Sequence, residues 1–189
     1  MKNNITKETT LHELAAIVSE HLRKNKIHAL LVGGSVVSIY TNNKYESQDL
    51  DFISPHEHQE ILDVMRKIDF TPDQKGRKNL SHPSCRFTVE FPGKTVFIGG
   101  THEKVNHVEK INNVKIKMYS PTQSVMDRLA AFIAWNDIQG LDQAEWICEA
   151  QPVDFEKIKK WAISEGVSID QMKSITKYCE RGIKKYHKK

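Results

Sequence analysis

ALLVGGSVVSIYTNNKYESQDLDFIS, residues Ala29 to Ser54, reads as five pieces in a fixed order. A buried strand (Ala29 to Val32) meets a Gly33-Gly34-Ser35 turn, then a short apolar helix (Val36 to Tyr40) and a polar loop. A second strand follows, carrying Asp49 and Asp51. Side chains alternate across a strand, so aspartates at i and i+2 project from the same face, and Leu50, Phe52 and Ile53 are the apolar neighbours that bury part of it.

Two carboxylates on one face repel. At about 4 Å and an effective dielectric near 20 the cost is roughly 4 kcal/mol, so the pair must protonate, splay apart or hold a cation. A divalent metal is the usual remedy where a phosphate-binding element lies nearby. The Gly-Gly-Ser turn is such an element: glycines let backbone approach a ligand closely, and the following helix N-terminus presents unpaired N–H groups to an anion.

This order of elements resembles the nucleotidyltransferase superfamily built on the polymerase-beta type fold. Its pattern is an apolar strand, Gly-Gly or Gly-Ser, a helix, Asp-x-Asp or Asp-x-Glu on the next strand, and a third carboxylate on a later strand. Gly33, Gly34, Ser35, Asp49 and Asp51 match the first parts, and Glu90 in RFTVEF (Arg86 to Phe91) is the candidate third acid. The resemblance covers roughly the first half of the chain. It implies an α+β fold, a mixed sheet flanked by helices with a C-terminal helical extension. It also implies an NTP donor and two Mg2+ ions, with Mn2+ as the alternative, bound by Asp49, Asp51 and Glu90. Ser35 and the backbone of Gly33 and Gly34 would hold the triphosphate, and Glu90 would complete the second metal site or take the acceptor's proton. The acceptor hydroxyl would belong to an RNA such as tRNA, a protein or a small molecule.

Bulk properties narrow the class. A chain of 189 residues is large enough to bury a sizeable core. We expect an α/β core over residues 1–119 and a helical region over 120–189 packed on it. A net charge of +4 is too small to prove a nucleic-acid partner. Three widely spaced cysteines, Cys85, Cys148 and Cys179, suggest neither a disulfide framework nor a zinc site. The polar start, and an apolar maximum too short to span a bilayer, lead us to expect a cytoplasmic protein with no membrane partner.

Thr10 and Glu13 form a capping-box pattern ahead of a helix expected to run to about Lys24, and Pro55 to Ile68 has a second helical face. His56 and His58 lie two apart, the wrong spacing for a metal pair on a helix. Phe70 to Ser84 is polar and basic and reads as a loop. Lys75, Arg77 and Lys78 either sit in solvent or contact phosphate or acceptor beside the site. Strands over Cys85 to Phe91 and Thr95 to Ile98 flank Pro92-Gly93 and suggest a hairpin, and another strand is expected over Val114 to Tyr119.

Ser120, Pro121 and Gln123 open a helix expected to reach Asp137. Asp127, Arg128 and the alanines that follow resemble the helical motif of AbiEii-type toxin nucleotidyltransferases, which implies that Arg128 contacts nucleotide phosphates. The structural reading has Arg128 in a salt bridge, with Asp137 or Asp142 capping the next helix. From Phe155 onward ten Lys or Arg face four Asp or Glu. Such a basic helical tail binds RNA or is a solvated face behind the packing stripe of Ile158, Trp161, Ile169, Met172, Ile175 and Ile183. A different class of function, a catalytically silent module that binds RNA or a partner protein, is carried by this tail. It would be one half of a toxin–antitoxin or phage-defence pair, with a cognate antitoxin as partner.

Overall fold

A capping box starts the first helix: the Thr10 hydroxyl accepts from the Glu13 N–H (3.3 Å) and the Glu13 carboxylate accepts from the Thr10 N–H (2.8 Å). The computed structural model describes residues 5–73 and 76–188, and the side chains of residues 76–78 lie outside that description. In chain order come α1 (Leu11–Lys24), β1 (Leu30–Val32), α2 (Gly33–Tyr40), β2 (Asp49–Ile53) and α3 (His58–Met65). Then follow β3 (Thr71–Asp73), β4 (Gly76–Ser81), β5 (Thr88–Gly93), β6 (Phe97–Ile98), β7 (Thr101–His102), β8 (Val108–Ile111) and β9 (Val114–Lys117). Four helices complete the chain: α4 (Pro121–Trp135), α5 (Ile138–Ala150), α6 (Phe155–Ser164) and α7 (Ile169–Tyr186).

The chain divides into two compact units. One comprises residues 1–35, 47–96 and 105–118, the other residues 36–46, 97–104 and 119–189. The first unit holds a five-stranded sheet of order β1-β2-β5-β4-β3. It is mixed: β2 and β5 run parallel, and the other neighbours are antiparallel. Leu50, Phe52, Val89 and Leu80 are buried from three adjacent strands, so apolar alternation fixes their register. The β8–β9 hairpin joins this unit, with Met118 bridged in parallel to Leu31.

In the second unit α5 packs against both α4 and α7, and α6 packs against α4. Ser120 caps α4 with a reciprocal Gln123 contact, and Asp137 caps α5 by accepting from the Gln139 N–H (3.0 Å). The Tyr40 hydroxyl donates to the Tyr119 carbonyl (2.6 Å), and the Trp161 indole to that of Ile98 (3.3 Å).

Three expectations are corrected. The stretch from Phe70 to Ser84 is not one loop, because β3 and β4 form within it: Leu80 is fully buried opposite Val89, and Asn79 faces Glu90. Lys75 and the side chains of Arg77 and Lys78, the basic run singled out in the sequence, lie outside the described residues. No hairpin forms about Pro92-Gly93. Both edges of β5 are taken by β2 and β4, which leaves no edge for a returning strand, and β6 pairs with β7 instead. The helix expected from Pro55 begins only at His58 and tightens to a 3-10 turn over Arg66–Ile68 before Asp69 turns left-handed (φ 62°).

Candidate active site

The parallel pairing of β2 with β5 sets Asp49 opposite Thr88, Leu50 opposite Val89 and Asp51 opposite Glu90. Paired residues share a face, so Asp49, Asp51 and Glu90 project together while Leu50, Phe52, Val89 and Phe91 bury the other side. One carboxylate oxygen from each acid lies within 4.8 Å of the others, and all three residues are half-buried. At that separation and an effective dielectric near 20 each charge pair repels by about 3–4 kcal/mol. Burial pushes the Glu90 carboxyl above the ordinary glutamate range, and the charges of Asp49 and Asp73 push it the same way.

The first turn of α2, where the sequence suggests a turn ahead of the helix, is built around this cluster. Gly33 has φ 72°, a left-handed conformation that glycine adopts without penalty. A Cβ there would overlap Oδ2 of Asp51, so glycine is required twice, for conformation and for space. Ser35 is fully buried and its hydroxyl donates to the Val32 carbonyl (3.1 Å). The side chain expected to meet a phosphate thus closes its own turn. Gly34 is buried beside it.

Two neighbours escaped the sequence reading. The Ser47 hydroxyl donates to Oδ1 of Asp49 (2.8 Å), orienting that carboxylate; its i, i+2 spacing was the available signal. Asp73 lies on β3, inside the stretch read as a loop, and nothing local marks it as a neighbour of Glu90. Arg128 belongs to the second unit and is half-buried on α4. Its guanidinium donates to Asp127 Oδ2 (Nε, 3.1 Å) and to Gln143 Oε1 (3.4 Å).

Three carboxylates and no nitrogen or sulfur ligand make a hard, oxygen-only set, the donor chemistry of Mg2+, Mn2+ or Ca2+. With one oxygen from each of the three acids within 4.8 Å of the others, a divalent cation fits the cluster.

The sequence matches no protein-family model and none of the curated proteins. The fold does have solved counterparts. An antigenic nucleotidyltransferase-like protein from Paracoccidioides brasiliensis superposes with a TM-score of 0.62 over 93% of this chain and 94% of its own, at 12% identity. The fold is of the nucleotidyltransferase type. A tRNA-processing enzyme aligns with 94% of this chain and 56% of its own, at 15% identity and a TM-score of 0.39. On the nucleotidyltransferase-type fold of this chain, the acids stand on two adjacent central strands next to the glycine turn. Among the described residues no helix is long and apolar enough to cross a membrane.

Proposed function

We propose that this chain is a metal-dependent nucleotidyltransferase, which moves a nucleoside monophosphate from an NTP to an acceptor hydroxyl on RNA, protein or a small molecule. The observation that carries this reading is the meeting of the Asp49, Asp51 and Glu90 carboxylates within 4.8 Å on one sheet face. Asp49 and Asp51 would hold Mg2+, with Glu90 completing the donor set for a second ion. Bound there, the cations supply neutralisation of charge on the transferring phosphoryl group and a lower pKa for the attacking hydroxyl.

The chain's own groups do the rest. Ser47 holds Asp49 in orientation through its hydroxyl. Gly33 keeps the Asp51 carboxylate against the turn, at the start of α2, where backbone N–H groups would meet the triphosphate. The acceptor oxygen forms a bond to the α-phosphorus as the bond to the bridging oxygen breaks. Pyrophosphate leaves, and the hydroxyl proton passes to Glu90 where that carboxylate is not taken by the second ion, and otherwise to water.

The test is incubation with each alpha-labelled NTP and Mg2+, offering total tRNA, cell protein and aminoglycosides separately, with Asp51→Asn alongside. Label transferred by the parent chain and lost in the variant supports the reading and names donor and acceptor. Transfer retained by Asp51→Asn, or no transfer and no Mg2+-dependent NTP binding by folded protein, overturns it.

A further inference from the structure

A second cavity lies in the first unit, at the end of β1 and β2 away from the acids. It encloses about 390 Å³. Leu30 of β1 stands opposite Ile53 of β2, one alternation step beyond the Val32–Asp51 pair, and both line it. Asp49, Asp51 and Ile53 share a face of β2, so the cavity opens where the apolar end of that face begins.

Its lining has two characters. Leu30, Ile53, Val96 and Val105 form an aliphatic floor, and among the described residues His28 is the only aromatic side chain in the wall. Arg23, Lys94, Lys115 and Lys117 surround this floor, and no aspartate or glutamate lines it. Two of these cations are already engaged: Arg23 holds the Glu20 carboxylate through two N–H donors (2.9 and 2.8 Å), and Lys94 pairs with Glu57. Lys115 and Lys117 have no hydrogen-bond or ion-pair partner among the described residues. They alternate along β9 with the buried Ile116 and Met118, so both ammonium groups lie on the side that Met118 and Leu31 leave open. The Ser19 hydroxyl oxygen, in the wall contributed by α1, is enclosed and has no partner either.

Two unpaired ammonium groups above an aliphatic floor suit a ligand with a charged head and a saturated body. Among the described residues the wall offers a nucleobase no Phe, Tyr or Trp face to stack on. We propose that this cavity binds a small amphipathic anion, a phosphate or carboxylate headgroup on an aliphatic chain, with Lys115 and Lys117 holding the head and Leu30, Ile53, Val96 and Val105 covering the chain. The site stands independently of the transferase reading and uses none of its acids.

The test is calorimetric titration of the full chain with octyl phosphate, octanoate, inorganic phosphate and octanol, paired with methyl NMR to locate the ligand. One equivalent of octyl phosphate or octanoate should bind and shift the methyl signals of Leu30, Ile53 and Val96. The tighter of the two anions identifies the headgroup. Inorganic phosphate and octanol should each bind at least about tenfold more weakly, since each lacks one half of the recognition. Lys115→Glu and Lys117→Glu, both on exposed positions, should each cost about tenfold in affinity. Val96→Trp, which fills the cavity from a half-buried position, should abolish binding while the fold stays intact. Equal binding of inorganic phosphate or octanol, lysine variants that bind like the parent, or no binding to any probe would overturn the proposal. So would shifts confined to Ile163 and Ile169 on the other basic, apolar surface, between α6 and α7.

Discussion

A methyl group on Gly33 would overlap the Oδ2 oxygen of Asp51 and stand 3.1 Å from its Cγ. Gly33→Ala therefore has two separable effects. The left-handed backbone alone costs about 1–2 kcal/mol of stability, read from urea denaturation. The displaced carboxylate should in addition weaken Mg2+ binding, read by titration calorimetry. A variant that loses stability and keeps the parent's cation affinity would separate the glycine from the site.

Glu90→Gln removes one of three crowded charges. The metal-free variant should melt above the parent at neutral pH, because the repulsion with Asp49 and the burial of a charged carboxyl are both relieved. Added Mg2+ should then raise the melting temperature of the parent more than that of the variant, since ligand binding to the folded state is the source of that rise. Thermal melts with and without the cation read both signs in one experiment.

Glu145 on α5 is buried beneath Arg181 and Lys185 of α7, with Arg181 Nε donating at 2.7 Å and Lys185 Nζ at 3.1 Å. The Arg181 guanidinium, with help from Lys185, holds its carboxyl below the ordinary range near 4.5. A lowered acid stabilises the fold above that range and loses its contribution as pH falls through the folded pKa. Glu145→Gln should cost roughly 1–2 kcal/mol at pH 7, kept modest by the 45% exposure of the Arg181 side chain, and the gap to the parent should close below about pH 4.5. Denaturation at stepped pH checks the direction.

Gly182 inverts a familiar helix substitution. Alanine for glycine inside a helix ordinarily gains about 0.5–1 kcal/mol. At this position of α7 a Cβ would meet the Glu145 carbonyl oxygen at 2.5 Å and the Cys148 Cβ at 2.7 Å. Overpacking of that kind costs about 1–3 kcal/mol, so Gly182→Ala should lower stability. A melting temperature above the parent's would show that α5 and α7 part easily.

Local patterns were the legible ones. The two capping boxes at Thr10 and Ser120 and the Asp49–Asp51 alternation are written within a few residues, and each appears in the structure where the spacing puts it. What could not be read depends on partners far along the chain. β4 has a single fully buried apolar residue, Leu80, and becomes a strand because β5 offers it an edge. Asp73 approaches Glu90 only because β3 and β4 exist. Gly33 reads from the sequence as a glycine needed for close approach, but the group that approaches it, Asp51, comes from the next strand.

The parallel pairing of β2 with β5 also bears on the order in which the molecule comes into being. Parallel neighbours need a crossover, and here 34 residues lie between Ile53 and Thr88. During synthesis β2 leaves the ribosome with Leu50 and Phe52 ready to bury and with one backbone edge open, and that edge stays open until β5 emerges. Open apolar edges invite pairing with other chains. Chains that stop before Thr88 should therefore be the sticky ones, and the acids of β2 have no third partner until that danger has passed.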